Sequence, residues 1–398
     1  MEFAASRILA ASAGCLALLV AFWLAERIAL ARRRRAVRLR ICVTGTRGKS
    51  TVVRLLAAIL RQAGYRVLAK TTGSKPTLIL PDGSEREIVR PGRPSILEQK
   101  RVLALAARRG ADAIVAEMMS IRRETLRAES AAIFKPGVLA ITNVRLDHLD
   151  DMGRTKEAIA ATMAAAIPGG GTMFALDEEC YPVFAAAASA RGGALVPVAK
   201  GDALAVAGPG EFPDNIRLAA AIARSLGVPP GAIEAGIAAA RPDFGALRVW
   251  RIPATAAGGR GLVAASAFAA NEPESSALAL AALRRLRPDL PPKTVALLNL
   301  RSDRGDRTEQ WLEALRNGFF GSFETLVFMG DHARALGRKA RLTGAPPSIA
   351  AIPERDPAGI TARLGALAGE DCLVVGLGNI GGAGAALVDY WASLGAGL

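Results

Sequence analysis

The chain has 398 residues, 51% of them hydrophobic and 22% charged, enough for two ordinary domains and too apolar for disorder to be its main state. Its formal net charge is +15, but six of those charges (Arg32–Arg35, Arg38 and Arg40) crowd into one short run, and no basic stretch is interleaved with aromatics, which excludes a nucleic-acid footprint. Cys15, Cys42, Cys180 and Cys372 form no CxxC pair, which excludes a disulfide framework and a structural zinc site and fits a reducing compartment.

Ile8–Ala25 carries no charge. As a helix it would span about 27 Å, close to the hydrocarbon thickness of a bilayer. Trp23 stands where an interfacial aromatic belongs, and Arg27 and Arg32–Arg35 follow. Positive charge stays on the cytoplasmic side, so this reads as a single-pass anchor with its N-terminus outside and the bulk of the chain in the cytoplasm. A cleaved signal peptide would carry its positive cluster before the apolar run, not after it. The Arg run is also placed to meet anionic lipid heads.

Beyond Arg40, apolar strands alternate with amphipathic helices. Strands are expected at 38–44, 66–69, 112–117 and 137–142, helices at 49–63, 96–109 and 154–166, and a hairpin at 77–80 and 86–89. The stretch 192–212 is the least patterned, and helices follow at 211–226 and 231–240. Pro242 and Gly245 then punctuate a break. Past it a second series runs through 247–252, 261–267, 273–286, 294–300, 308–317, 325–329, 331–341, 357–367, 372–375 and 383–394. The fold class is α/β, with parallel sheets wrapped by helices. Three units are expected: an anchor and basic segment (1–37), a first α/β domain (38–241) and a Rossmann-like domain (242–398).

Val43-Thr44-Gly45-Thr46-Arg47-Gly48-Lys49-Ser50-Thr51 ends the first strand and opens the first helix. Gly45 and Gly48 let the backbone turn its N–H groups onto a phosphate, and the helix N-terminus adds partial positive charge there. Lys49 can reach the terminal phosphates and the Ser50 hydroxyl a Mg2+ ion. The loop is a short variant, because Val43 stands where the usual P-loop has its first Gly. Residues 45–51 are therefore the candidate ATP-binding loop.

This motif resembles the Mur ligase superfamily, as do Ala111–Ser120 and Ile141–Gly153. The resemblance implies that Glu117 and His148 ligate a second Mg2+, and that Asn271 and Arg248 contact ATP, Arg248 from the hinge. Ala267 stands where many Mur ligases have Asp. Lys156 opens the helix in which many carry a carbamylated Lys, but that role is not carried over to it. Five further segments, 69–74, 90–99, 268–275, 299–310 and 376–382, resemble the ATP-dependent ligase subunit of poly-γ-glutamate synthase (CapB or PgsB type). The resemblance implies an ATP-dependent ligase that polymerises glutamate through its γ-carboxylate, releasing ADP and phosphate. It also implies a polyglutamate chain as substrate and product and other membrane subunits as partners. Homo-oligomerisation stays open.

Arg301, Arg304 and Arg307 recur every three residues and can share a helix face, with Asp303 and Asp306 between them. Such a cluster can neutralise a transferring phosphoryl group, and Arg301 and Arg304 join Lys49, Glu117 and His148 as catalytic candidates. The other account of this cluster is a solvated, self-paired charge patch. Lys70, Lys75, Arg90 and Arg93 are candidate carboxylate binders, or ordinary loop charges. Gly376-x-Gly378-x-x-Gly381 imitates a dinucleotide fingerprint, but no later strand can carry the acidic residue that fingerprint needs. Tight packing is its better account. Two other functions remain open: another Mur-type ligase, such as a folylpolyglutamate-synthase-like enzyme, and a membrane-tethered nucleotide switch.

Overall fold

A computed structural model describes residues 2–73, 75–90, 92, 94–176, 180–199, 213–303, 305–341, 348–369 and 371–397. In chain order the first part contains α1 (Glu2–Ala36), β1 (Leu39–Thr44), α2 (Lys49–Gln62), β2 (Val67–Thr71), β3 (Thr77–Ile79), β4 (Glu85–Glu87), α3 (Leu97–Arg108) and β5 (Ala113–Glu117). It continues through α4 (Arg123–Arg127), a π-helical turn (Ala128–Phe134), β6 (Val138–Ile141), α5 (Leu149–Met152), α6 (Lys156–Met163), β7 (Thr172–Leu176), α7 (Tyr181–Ser189), β8 (Ala194–Val198), α8 (Pro213–Ser225) and α9 (Pro230–Ala239). The second part contains β9 (Arg248–Ile252), β10 (Leu262–Ser266), α10 (Pro273–Leu286), β11 (Lys293–Leu300), α11 (Gly305–Arg316), β12 (Thr325–Gly330) and α12 (Ala333–Arg341). It ends with β13 (Ser348–Ala351), α13 (Pro357–Ala368), β14 (Cys372–Gly378), α14 (Ala383–Leu394) and β15 (Ala396–Gly397).

The first sheet has the order β4-β3-β2-β5-β1-β6-β7-β8 and is parallel except at β3. Its central strands are apolar on both faces because helices cover both. On one face α2, α8 and α9 pack through Val52, Leu55, Leu56, Ile59, Ile216 and Ile237. Each of the larger side chains contributes about 1.5–3 kcal/mol by leaving water. Gly236 of α9 lies against the Ile59 backbone, where a β-carbon would collide, so these helices approach closely. On the other face α3, α6 and the π-helical turn enclose Leu103, Ile133, Phe134 and Ile159. The second sheet has the order β13-β12-β11-β14-β10-β9-β15, antiparallel only where β9 joins β10 and β15.

The strand–helix alternation matches the sequence reading closely. Sequence patterning names no element at β7, α7, β8 or β13. β8 is an edge strand that carries Pro197 and leaves most of its side chains partly exposed, so it has no buried stripe to reveal it. The expectations for 201–212 fall outside the described residues. Apolar α1 is continuous from the N-terminus to the first domain, and its span (Arg7–Ala36) has an apolar window left uncovered by protein.

Candidate functional site

The carboxyl edge of the first sheet carries the chemistry. β1 ends at Thr44 between β5, with Val43 opposite Glu117, and β6, with Thr44 opposite Ile141. Three strand ends therefore deliver the Gly45–Ser50 loop, Glu117 and the 142–148 loop to one place. Gly45 (φ +128°) and Gly48 (φ +80°) hold the loop's shape, and a side chain at either would strike Thr142 or Asn215. The Asn143 side chain clasps the loop through the Arg47 backbone, accepting from its N–H at 3.0 Å and donating to its carbonyl at 3.2 Å.

Lys49 folds back onto its own loop, its Nζ donating to the carbonyls of Gly45 (2.8 Å) and Thr46 (3.1 Å). Burial pulls its ammonium below the ordinary lysine range, and the negative charge of Glu117 opposes that shift. Glu117 is buried, and one carboxylate oxygen accepts from Ser50 Oγ and from the Thr72 N–H, each at 2.7 Å. Among the described residues Glu117 forms no ion pair. A buried carboxylate without an ion-pair partner among the described residues, hydrogen-bonded to the Ser50 hydroxyl at the loop after β1, fits Mg2+, which takes one or two carboxylates and completes its shell with phosphate oxygens and water. No cluster of three His, Cys, Asp or Glu able to hold a metal occurs among the described residues.

One cavity of about 770 Å³ is lined by Gly45–Thr51, Glu117, His148, Asn271 and Arg301, from both sheets. His148 (φ +52°) caps the short α5, with its ring 3.7 Å from Asp147. Asn271 (φ +63°) turns the chain at the rim, and its carbonyl accepts from the Trp311 indole at 3.0 Å. Arg248 stands at the link between the sheets, donating to the Asp243 carbonyl at 3.1 Å, and does not line the cavity.

The arginine cluster divides. Arg301 forks onto Asp303 (2.9 and 2.7 Å) and is part-exposed at the rim, the self-paired arrangement. Arg304 lies outside the described residues. Arg307 is buried and bonds Asp147 at 3.2 Å and Asn379 at 2.6 Å, tying α11 to the loop after β6. Asp147 also pairs with Arg47 at 3.2 Å, so one buried carboxylate lies between two guanidinium groups, one from each part of the chain. Asp147 and Asn379 were not singled out by the sequence reading, although both lie inside motifs it quoted.

Lys70 and Arg90 do not line the cavity. Both hold Glu98, Lys70 at 2.7 Å and Arg90 through a fork at 2.7 and 3.0 Å, so an internal carboxylate takes the place expected for substrate. Arg93 lies outside the described residues. Lys156 pairs with Glu274 across the two parts at 3.1 Å. The glycines of the 376–381 motif are packing positions: a β-carbon at Gly376 would enter the Phe268 ring, and one at Gly381 would meet Arg301.

Comparison with known proteins agrees with this architecture. The Mur ligase middle domain model matches residues 43–195, and the poly-gamma-glutamate synthase CapB C-terminal domain model matches 252–394. The PGA synthase CapB of Bacillus subtilis (strain 168) is 32% identical over 285 residues, covering 69% of this chain and 71% of its own. The chain belongs to the CapB family. The capsule biosynthesis protein CapB of Bacillus anthracis is 30% identical over 308 residues, and the match spans 75% of this chain but 64% of that one, under two thirds. The fold is that of FolC: the E. coli FolC structure in complex with ADP superposes with a TM-score of 0.67 at 18% identity, covering 94% of this chain and 97% of that one. The Yersinia pestis folylpolyglutamate synthase/dihydrofolate synthase complexed with AMPPNP and Mn ion gives 0.65 at 16% identity, covering 93% of each chain. CapB-family chains with this Mur-type middle domain are ATP-dependent amide ligases, and this chain is one.

Proposed function

We propose that this chain polymerises glutamate through its γ-carboxylate at the expense of ATP, in units bounded at 38–241 and 242–398. The single observation that supports this most is the shared cavity, in which the Lys49 loop and the Ser50–Glu117 pair of the first sheet face Asn271 and Arg301 of the second. The γ-carboxylate of glutamate, or of a growing chain, attacks the γ-phosphorus of ATP. ADP leaves and an acyl phosphate remains. The amine of the next glutamate attacks the acyl carbon, phosphate leaves, and the amine gives up a proton. Residues 45–51 cradle the phosphates through backbone N–H groups. Lys49 exchanges its two carbonyl partners for phosphate oxygens, neutralising charge that the transfer spreads over them. Ser50 and Glu117 would hold Mg2+, with His148 as a further candidate ligand, and the ion would supply charge neutralisation at the phosphates. Arg307 and Asp147 keep the two parts in register, so that acyl donor and amine meet. Lys70 and Arg90 shape the loop wall through Glu98 instead of binding substrate.

We further read α1 as a single-pass anchor in the cytoplasmic membrane, N-terminus outside, with other membrane subunits as partners. The test uses membranes holding the full chain, with and without Lys49→Ala, supplied with ATP, Mg2+ and single amino acids. Glutamate-dependent ADP release with γ-linked oligomers is expected, falling about 10²–10³-fold in Lys49→Ala, as for loss of one charge stabiliser. ADP release with a different amino acid would sink the polyglutamate reading and keep a Mur-type ligase. AMP as product would overturn the acyl-phosphate route.

A further inference from the structure

β5 ends at Glu117, and past it the chain has no regular structure while Met118–Ile121 line the cavity. A stretch of this kind ordinarily gives its backbone hydrogen bonds to water. Here protein groups hold them. The Met118 N–H donates to the Val43 carbonyl at 2.9 Å. Gln99, near the start of α3, donates to the Glu117 carbonyl at 3.0 Å. Glu129 takes the next two amides, accepting from the Met119 N–H with one oxygen and from the Ser120 N–H with the other, each at 3.1 Å. The Gln99 amide also donates to the oxygen of Glu129 that serves Met119. Lys70 sets the orientation of that amide by donating to its oxygen at 3.1 Å. Lys70, Gln99 and Glu129 are all fully buried.

A buried carboxylate is costly to keep, so its use here needs a reason. Two adjacent amides and the Gln99 donor converge on it, and a side chain with two acceptor oxygens and no donor answers all of them. Burial pushes the Glu129 carboxyl above the ordinary glutamate range, and the hydrogen bonds from Ser120, Gln99 and Met119 oppose that shift. Glu129 is also held from behind. It lies in the π-helical turn Ala128–Phe134, a rare backbone form that is frequent at functional sites. The carbonyls at the end of a helical turn lack partners within it. Arg34 of α1 donates to those of Ala132 (2.8 Å) and Ile133 (3.2 Å), and Arg40 of β1 to that of Phe134 (2.9 Å). The base of α1 therefore grips the turn, and the turn grips the end of β5.

We propose that Glu129 is a positioning residue of the ligase centre: through the Met119 and Ser120 amides, and with Gln99 on the Glu117 carbonyl, it fixes the end of β5 so that the Glu117 carboxylate stays turned toward Ser50. This rests on the reading of Ser50 and Glu117 as the Mg2+ site. Glu129 does not line the cavity, so its loss displaces that ligand without removing it. The test compares the detergent-solubilised full chain as wild type, Glu129→Gln and Glu117→Ala. Glutamine keeps the shape of the side chain but sets an NH2 group against donors, so one end of the carboxylate loses its hydrogen bonds. Mn2+ binding in the presence of ADP is read by electron paramagnetic resonance, ADP binding in EDTA by calorimetry, and turnover as Mg2+ is varied. In Glu129→Gln, Mn2+ affinity should fall about 10–100-fold and half-saturating Mg2+ should rise to match, the usual effect of losing a group that orients a metal ligand. ADP affinity in EDTA should not change. Unaltered Mn2+ affinity and Mg2+ dependence would overturn the proposal and leave the Mg2+ site standing. Wild type that binds Mn2+ no better than Glu117→Ala would remove the site and the proposal with it. An equal fall in metal-free ADP affinity would make Glu129 a general support of the fold and overturn the positioning role. Amide exchange of the unsubstituted chain needs no variant. Met119 and Ser120 should exchange as slowly as β5, and exchange at the rate of an exposed turn would overturn the proposal.

Discussion

Glu98 serves two cations, and its own titration follows from that. Burial alone would raise its carboxyl, but the hydrogen bonds from Arg90 and Lys70 outweigh burial and bring it down to about 2. Burial pulls the Lys70 ammonium down, and Glu98 opposes that pull. A carboxyl depressed on folding stabilises the folded state fully above its unfolded pKa of about 4.5, and that stabilisation is lost as pH falls toward about 2. Glu98→Gln leaves the buried Lys70 without its carboxylate. The cost at pH 7 should be about 2–3 kcal/mol, below the ~3–5 of a fully buried pair because Glu98 is partly exposed. Urea titrations at pH 7 and pH 3 should show the gap from wild type narrowing at the lower pH, and a gap of constant size would refute the assignment. Lys70 illustrates how far a residue type reads at this scale. A lysine at the end of a strand announces a cation at the sheet edge, and only its neighbours decide whether that cation meets substrate or a carboxylate of its own chain.

Among elements, the turn between β1 and α2, which we propose binds phosphate, was the most legible, because its two glycines at positive φ stand between a buried strand and a helix. Gly48→Ala tests it. The added methyl would meet Asn215 of α8 at a backbone angle that costs about 1–3 kcal/mol. ADP affinity should fall roughly tenfold or more by calorimetric titration, because 1.4 kcal/mol is a factor of ten. Unchanged affinity would mean that the nucleotide does not use this loop. Most regular strands and helices were equally legible, since burial on both faces leaves unbroken apolar strands and a helix such as α2 repeats its apolar face every three to four residues, but buried β7 and Ala-rich α7 were missed. β8 and β13 were not legible either, because short edge strands carry neither pattern.

At the scale of the whole molecule, the two sheets are joined by charge. Arg307 meets Asp147, and Lys156 and Arg145 both approach Glu274 across the same boundary. Arg307→Met leaves Asp147 buried with Arg47 as its remaining guanidinium. Turnover should drop at least about 10²-fold, the scale of a misplaced reacting group, while ADP affinity, which Arg307 does not touch in the proposed site, changes little. Steady-state kinetics beside a nucleotide titration separates the two. An equal loss in both would place Arg307 on the nucleotide instead of at the joint.

By itself the sequence determined the α/β class, the apolar N-terminal helix and the glycine-bearing turn between β1 and α2, because periodicity and glycine placement are local properties of a chain. The tertiary structure alone decided which charges face each other. Arg301, Arg304 and Arg307 are alike in spacing, yet Arg301 folds onto its neighbour Asp303 while Arg307 reaches a carboxylate 160 residues away. The same holds for the side of the sheet on which α1 leaves. That side follows from the pairing of α1 with α3, a contact between segments far apart in sequence that no local pattern encodes.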